Sequence, residues 1–197
     1  VYHLPGFVQC PFLLPGLLNP VSRLWAHPFT VRHVERCLGG DDRALRSAVR
    51  RPGRFDRTKT VAGHALFYAR STKRFLFLER TKTKTAGQWG LVGGMAEGDE
   101  TPWKALEREI SEEVGKTPPI KKVIPLEMFT SNDSKFFFHT YLAIIEQEFI
   151  PQLNEEHSGY AWTNVNCWPK PLHVGLRNTL QNKAIKEKLQ TVLDLIV

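Results

Sequence analysis

Gly94-Met95-Ala96-Glu97-Gly98-Asp99-Glu100-Thr101-Pro102-Trp103-Lys104-Ala105-Leu106-Glu107-Arg108-Glu109-Ile110-Ser111-Glu112-Glu113-Val114-Gly115 is the stretch from which the fold can be read. Thr101 suits a helix N-cap, Pro102 the first helical position and Gly115 the stop, which predicts a helix over 101–114. At about 100° per residue, Trp103, Leu106, Ile110 and Val114 fall within one arc of about 80° and form the buried stripe. Glu109, Glu112 and Glu113 stand at i, i+3 and i+4 and share the neighbouring face. Three carboxylates there repel one another and weaken the helix unless something offsets them. A hard divalent cation does so, because Mg²⁺ prefers carboxylate oxygen and keeps open water positions. Such an ion also polarises phosphate and lowers the pKa of bound water. Taken alone, three glutamates at this spacing more often make a solvated acidic face. The rest of the string argues for a site. Gly93-Gly94 falls between strand and helix, where backbone can approach a ligand closely. Arg108 is placed to pair with Glu100 across a loop.

Gly94, Glu100, Arg108, Glu109, Ile110, Glu112, Glu113 and Gly115 fill, in register, a pattern that resembles the Nudix box. That box reads Gly, five residues, Glu, seven residues, Arg-Glu, an aliphatic, any residue, Glu-Glu, any residue, Gly and an aliphatic. The one departure is Lys116 at the last position, a packing position at the helix exit. The resemblance covers roughly residues 58–195. It implies an α/β (α+β) fold, a Nudix-type α/β/α sandwich with a mixed sheet and one acidic catalytic helix. It implies Mg²⁺-dependent hydrolysis of a phosphoanhydride in a nucleoside diphosphate linked to another moiety, with Mn²⁺ as a substitute metal. By resemblance, Glu109, Glu112 and Glu113 are metal-binding carboxylates and the Gly93 carbonyl is a further ligand. Arg108 salt-bridges Glu100 and orients the catalytic glutamates. One more glutamate comes from a loop before a late strand, for which Glu156 is the candidate and Glu155 the alternative. Glu109 or Glu113 is favoured over Glu156 as the general base. No substrate marker follows the box in 129–135, so the choice stays open among nucleoside triphosphates, dinucleoside polyphosphates, ADP-ribose, nucleotide sugars and capped RNA.

Around the box, alternation predicts strands over 60–68 and 74–79, and a short apolar strand over 88–92. Strands follow over 122–129, 135–145 and 160–162. The period over 177–195 predicts one closing helix. Strands interrupted by one helix and closed by another make a layered α/β or α+β domain. Phe67, Trp89, Phe129, Phe137 and Tyr141 are available to stack on a base, though each is more often a core residue. His64, His139 and His173 are candidates for phosphate contact, but no His pair has zinc-ligand spacing. Arg80, Lys82, Lys84 and Gln88 line a basic loop suited to polyphosphate.

The chain has 197 residues, with 42% hydrophobic and 24% charged, which suits a soluble globular protein able to bury a sizeable core. Apolar runs such as 141–145 are too short to cross a bilayer, so no membrane role is expected. Cys10, Cys37 and Cys167 are odd in number and far apart, which argues against a disulfide framework and points to a reducing, cytoplasmic location. Cys167 is read as buried and inert. Residues 1–57 hold nine arginines, no lysine and four acidic residues, a charge of +5, against +2 for 58–197. The boundary therefore falls near Thr58: residues 1–57 are an Arg/Pro-rich extension, expected to be poorly ordered, and 58–197 are the hydrolase domain. Two alternative functions remain open. One is a non-catalytic nucleotide-sensing module of the same fold. The other is a nucleic-acid-binding protein led by the basic extension. The apolar residues Phe12, Leu13, Leu14, Leu17, Leu18 and Trp25 leave a homodimer open.

Overall fold

The computed structural model describes residues 59–81 and 84–196. The basic extension and Lys82 lie outside the described residues. In chain order the elements are β1 (Thr60–Ala69), β2 (Arg74–Arg80), β3 (Trp89–Gly90) and β4 (Val92–Met95), then α1 (Pro102–Glu113). They continue with β5 (Lys122–Thr130), β6 (Phe136–Ile145), β7 (His157–Thr163), α2 (Val174–Gln181) and α3 (Lys183–Ile196).

All seven strands join one sheet. Its main path runs β3-β2-β1-β6-β5, with β4 also on β1 and β7 also on β2. β1 and β6 run parallel from Thr60 opposite Phe136 to Ala69 opposite Ile145, while the other pairs are antiparallel. The sheet is therefore mixed. Side chains alternate between its faces, and each face has its own cover. Leu66, Tyr68, Phe75, Phe77, Leu142 and Ile144 pack under α2 and α3 through Leu176, Leu180, Leu189, Val192 and Leu193. On the other face Ala65, Phe67, Leu76, Leu78, Val92 and Ala143 pack under α1 through Leu106, Ile110 and Val114. The result is the α/β/α sandwich expected from the sequence.

α1 begins as its sequence dictates. Thr101 is extended (φ −76°, ψ 159°), its Oγ1 accepts from the Lys104 amide at 3.2 Å, and Pro102 fills the first turn. Two elements depart from the sequence reading. Gly93 and Gly94, expected to lie between strand and helix, belong to β4 and pair with His64 and Gly63 of β1. The closing helix is two helices. Asn182 is extended (ψ 123°), its amide caps α2 on Asn178 and Thr179, and its Oδ1 accepts from Ala184 at 3.0 Å to start α3. Cys167, read as an inert thiol, is disulfide-bonded. No described helix is long and apolar enough to cross a membrane.

Candidate active site

α1 lies against β4 and the start of β1, so the acidic face of the helix borders the glycines of β4. Gly93 has φ +134°, and a Cβ there would fall 2.2 Å from the Gly63 carbonyl oxygen, so glycine alone fits. Its amide donates to Glu113 Oε2 at 2.7 Å. The residue whose carbonyl the resemblance implies as a ligand thus also holds Glu113 through its N–H. A Cβ on Gly94 would lie 2.3 Å from Glu109 Oε1, so Glu109 rests directly on the Gly94 backbone.

Arg108 ties the box together. Its Nε and Nη2 meet the two oxygens of Glu100 at 3.2 and 3.3 Å in a forked contact. Nη2 also donates to the Met95 carbonyl at 2.9 Å, and Nη1 reaches Glu109 and Glu112 at 3.0 Å each. The fork on Glu100 raises the Arg108 pKa and holds Glu100 below the usual carboxylate range. The expected Glu100–Arg108 pair is thus present in the geometry.

The three glutamates of the acidic face differ in environment. Glu113 is 4% exposed, although it sits beside the apolar stripe and not on it. Burial pushes its pKa up to about 8; the Gly93 amide and Arg80 oppose the shift, and the charges of Glu109 and Glu156 add to it. Glu109 is half-buried and also raised, first by burial and then by Glu112 and Glu156 against the pull of Arg108. Glu112 is exposed. Glu156 belongs to the turn before β7, yet its charge reaches both Glu109 and Glu113. Among the described residues no three His, Cys, Asp or Glu side chains converge on one point. Arg108 draws Glu109 and Glu112 toward itself, and Glu113 is turned onto Gly93. The donor set nevertheless fits a hard divalent cation: it is all oxygen, and neighbouring carboxylate charges add to the raised pKa of Glu109 and Glu113.

Three residues near the carboxylates were not singled out from the sequence. His157 is buried with Nε2 3.7 Å from Glu113 Oε1. Asn154 and Thr81 hold the turn that carries Glu156. Asn154 two residues before a glutamate is a turn-forming signal, but nothing local shows that the turn reaches α1. The candidate base platforms mostly serve the core. Phe67 is fully buried, Trp89 packs under the C-terminal helices, and Tyr141 packs edge-on to Trp103. Phe129 is exposed, and Phe137 lies under Lys59 at 5.7 Å. His64 stacks on Phe138 at 4.3 Å, and burial holds its pKa down at about 3.

Residues 58–182 match the NUDIX domain. Among solved structures, a MutT NUDIX hydrolase from Burkholderia pseudomallei aligns with TM-score 0.53 and 26% identity, over 64% of this chain and 98% of its own. The Nudix hydrolase RenU from M. smegmatis aligns with TM-score 0.54 and 18% identity, over 68% and 86%. The NUDIX domain of Shewanella oneidensis NrtR, solved with ADP ribose, aligns with TM-score 0.52 and 18% identity, over 74% and 97%. No curated protein matches the chain. Hydrolases of this kind generally need a divalent metal, commonly Mg²⁺. Since the matched span contains the whole sheet and the acidic helix α1, the chain belongs to the Nudix family, and it is a hydrolase of phosphorus-containing acid anhydrides.

Proposed function

We propose that the chain is a Mg²⁺-dependent pyrophosphohydrolase that cleaves a phosphoanhydride in a nucleoside diphosphate linked to another moiety. Glu109, Glu112, Glu113, Glu156 and the Gly93 carbonyl would hold the ion, and Mn²⁺ would substitute. The observation that carries the reading is that the charge of Glu156, from a distant part of the chain, raises the pKa of both Glu109 and Glu113 on α1. A bound divalent cation would offset that repulsion, neutralise charge on the phosphates and lower the pKa of a bound water.

The chain's own residues do the rest. Arg108 fixes the direction of Glu109 through a 3.0 Å contact and is itself held by Glu100. Glu113 and Glu109 are the candidates for the general base; burial raises both, and a bound cation would favour the ionised form that can take a proton. The Arg80 guanidinium makes no hydrogen bond or ion pair with a described residue, and its charge acts on His64, His157, His173 and Glu113. A half-buried, uncommitted cation supports an anionic substrate. The Shewanella oneidensis neighbour is solved with ADP ribose, a compound of the proposed class.

The test is hydrolysis of a mixed panel of nucleoside triphosphates, dinucleoside polyphosphates, ADP-ribose and nucleotide sugars, with product analysis. EDTA abolishes turnover and Mg²⁺ or Mn²⁺ restores it. Full activity in a metal-free preparation overturns the mechanism.

A further inference from the structure

We propose that Asn154 and Thr81 are positioning residues for Glu156, holding its peptide on both sides so that its carboxylate faces α1. This rests on the reading of Glu156 as a member of the site.

β7 pairs with β2, which brings the turn before β7 alongside the end of β2. Asn154 Oδ1 accepts the Glu156 amide N–H at 3.0 Å and also meets His157 Nδ1 at 3.3 Å. An atom that accepts an amide N–H is the oxygen, so the orientation of the Asn154 side chain is determined. His157 Nδ1 is therefore the protonated nitrogen, and Nε2 is the atom that faces Glu113. On the other side, the Thr81 amide donates to the Glu156 carbonyl at 2.8 Å and Thr81 Oγ1 donates to the Glu155 carbonyl at 2.7 Å. Both backbone polar groups of Glu156 are thus held, and its carboxylate makes no hydrogen bond or ion pair with a described residue. The ladder slips at the same place: Glu79 pairs with Gly159 and Arg80 with His157, leaving Ser158 extra, and its Oγ donates to Glu79 Oε2 at 2.9 Å. Such a bulge re-aims the strand end, here the end that carries Glu156. A loop that only needed closing would not require both flanks of one acidic residue to be pinned.

The experiment is Mn²⁺ binding to the full chain, read from the electron paramagnetic resonance signal of free Mn²⁺, with melting temperature recorded beside it. Glu156→Gln removes a candidate ligand and weakens Mn²⁺ binding by at least about tenfold, and Asn154→Ala weakens it by about tenfold, the usual size of an outer-sphere effect. Asn154→Asp keeps the acceptor and restores binding. Thr81→Val removes a single hydroxyl and weakens binding severalfold, which keeps the test valid should Asn154→Ala fold poorly. In the Glu156→Gln background, Asn154→Ala has no further effect, because it acts through the group already removed. If Glu156→Gln weakens binding while Asn154→Ala and Thr81→Val do not, the positioning role is overturned and Glu156 stays in the site. Equal weakening by Asn154→Ala in both backgrounds also overturns it, since the residue then acts on the fold. If Glu156→Gln leaves Mn²⁺ binding unchanged, Glu156 is outside the site and the proposal falls with it.

Discussion

Glu113 stands three residues after Ile110 and one before Val114, and the packing that buries those two takes the carboxylate out of water with them. Among the described residues its one hydrogen-bond donor is the Gly93 amide, which does not offset the loss of hydration, so its pKa rises from 4.5 to about 8. The consequence for stability has a definite sign. Between about 4.5 and 8 the folded chain keeps a proton that the unfolded chain has lost, so stability falls as pH rises through that window. In EDTA the wild-type melting temperature is therefore expected to fall relative to that of Glu113→Gln from pH 5 to pH 8, a comparison in which the opposite slope of His64 cancels. The same substitution removes a candidate ligand and base, so turnover should fall by about 10²–10⁴-fold. Near wild-type turnover at saturating Mg²⁺ would take Glu113 out of the site. The spacing of Glu109, Glu112 and Glu113 was legible in the sequence as a shared face. Which of the three is buried was not, because desolvation depends on what packs against the helix.

β4 and α1 form the unit that carries the chemistry, and their contact leaves no room for a side chain at Gly93. Gly93→Ala would force a Cβ at φ +134° into the Gly63 carbonyl. The expected cost is about 2–5 kcal/mol, combining strain and overpacking, measured by urea unfolding at constant pH. An unchanged midpoint would mean that β4 can move away from β1. The closing helices make a milder case. Asn182 ends α2 and caps α3 in one residue, so Asn182→Ala should cost about 1 kcal/mol. Turnover should not change, because no site residue lies on either helix. The break at Asn182 was missed by periodicity because no Pro or Gly marks it and apolar residues recur on both sides. The start of α1 was legible, since Thr101 and Pro102 act locally through a hydroxyl and a fixed φ.

At the scale of the molecule, sheet order assembles the site. β4 lies on β1, β7 lies on β2, and α1 covers the face between them, so Glu156 is brought to a helix far from it in sequence. The described sheet, both of its helical covers and every candidate ligand fall within 58–197, about the usual size of a self-sufficient domain. A chain beginning near Asp56 is therefore expected to melt cooperatively and keep its turnover on a small nucleotide. An insoluble or inactive product would show that residues before Thr58 belong to the fold. The sequence by itself determined α1, its cap, its buried stripe, the Glu100–Arg108 pair and the shared face of glutamates. Each depends on a helical repeat or a short loop, which neighbouring residues specify. Only the tertiary structure decided that the Gly93 amide meets Glu113, that Glu113 is the buried carboxylate, and that Asn154, Thr81 and His157 stand beside the acidic helix. Those contacts depend on strand order and register, and an alternating strand carries the same pattern whichever strand it pairs with.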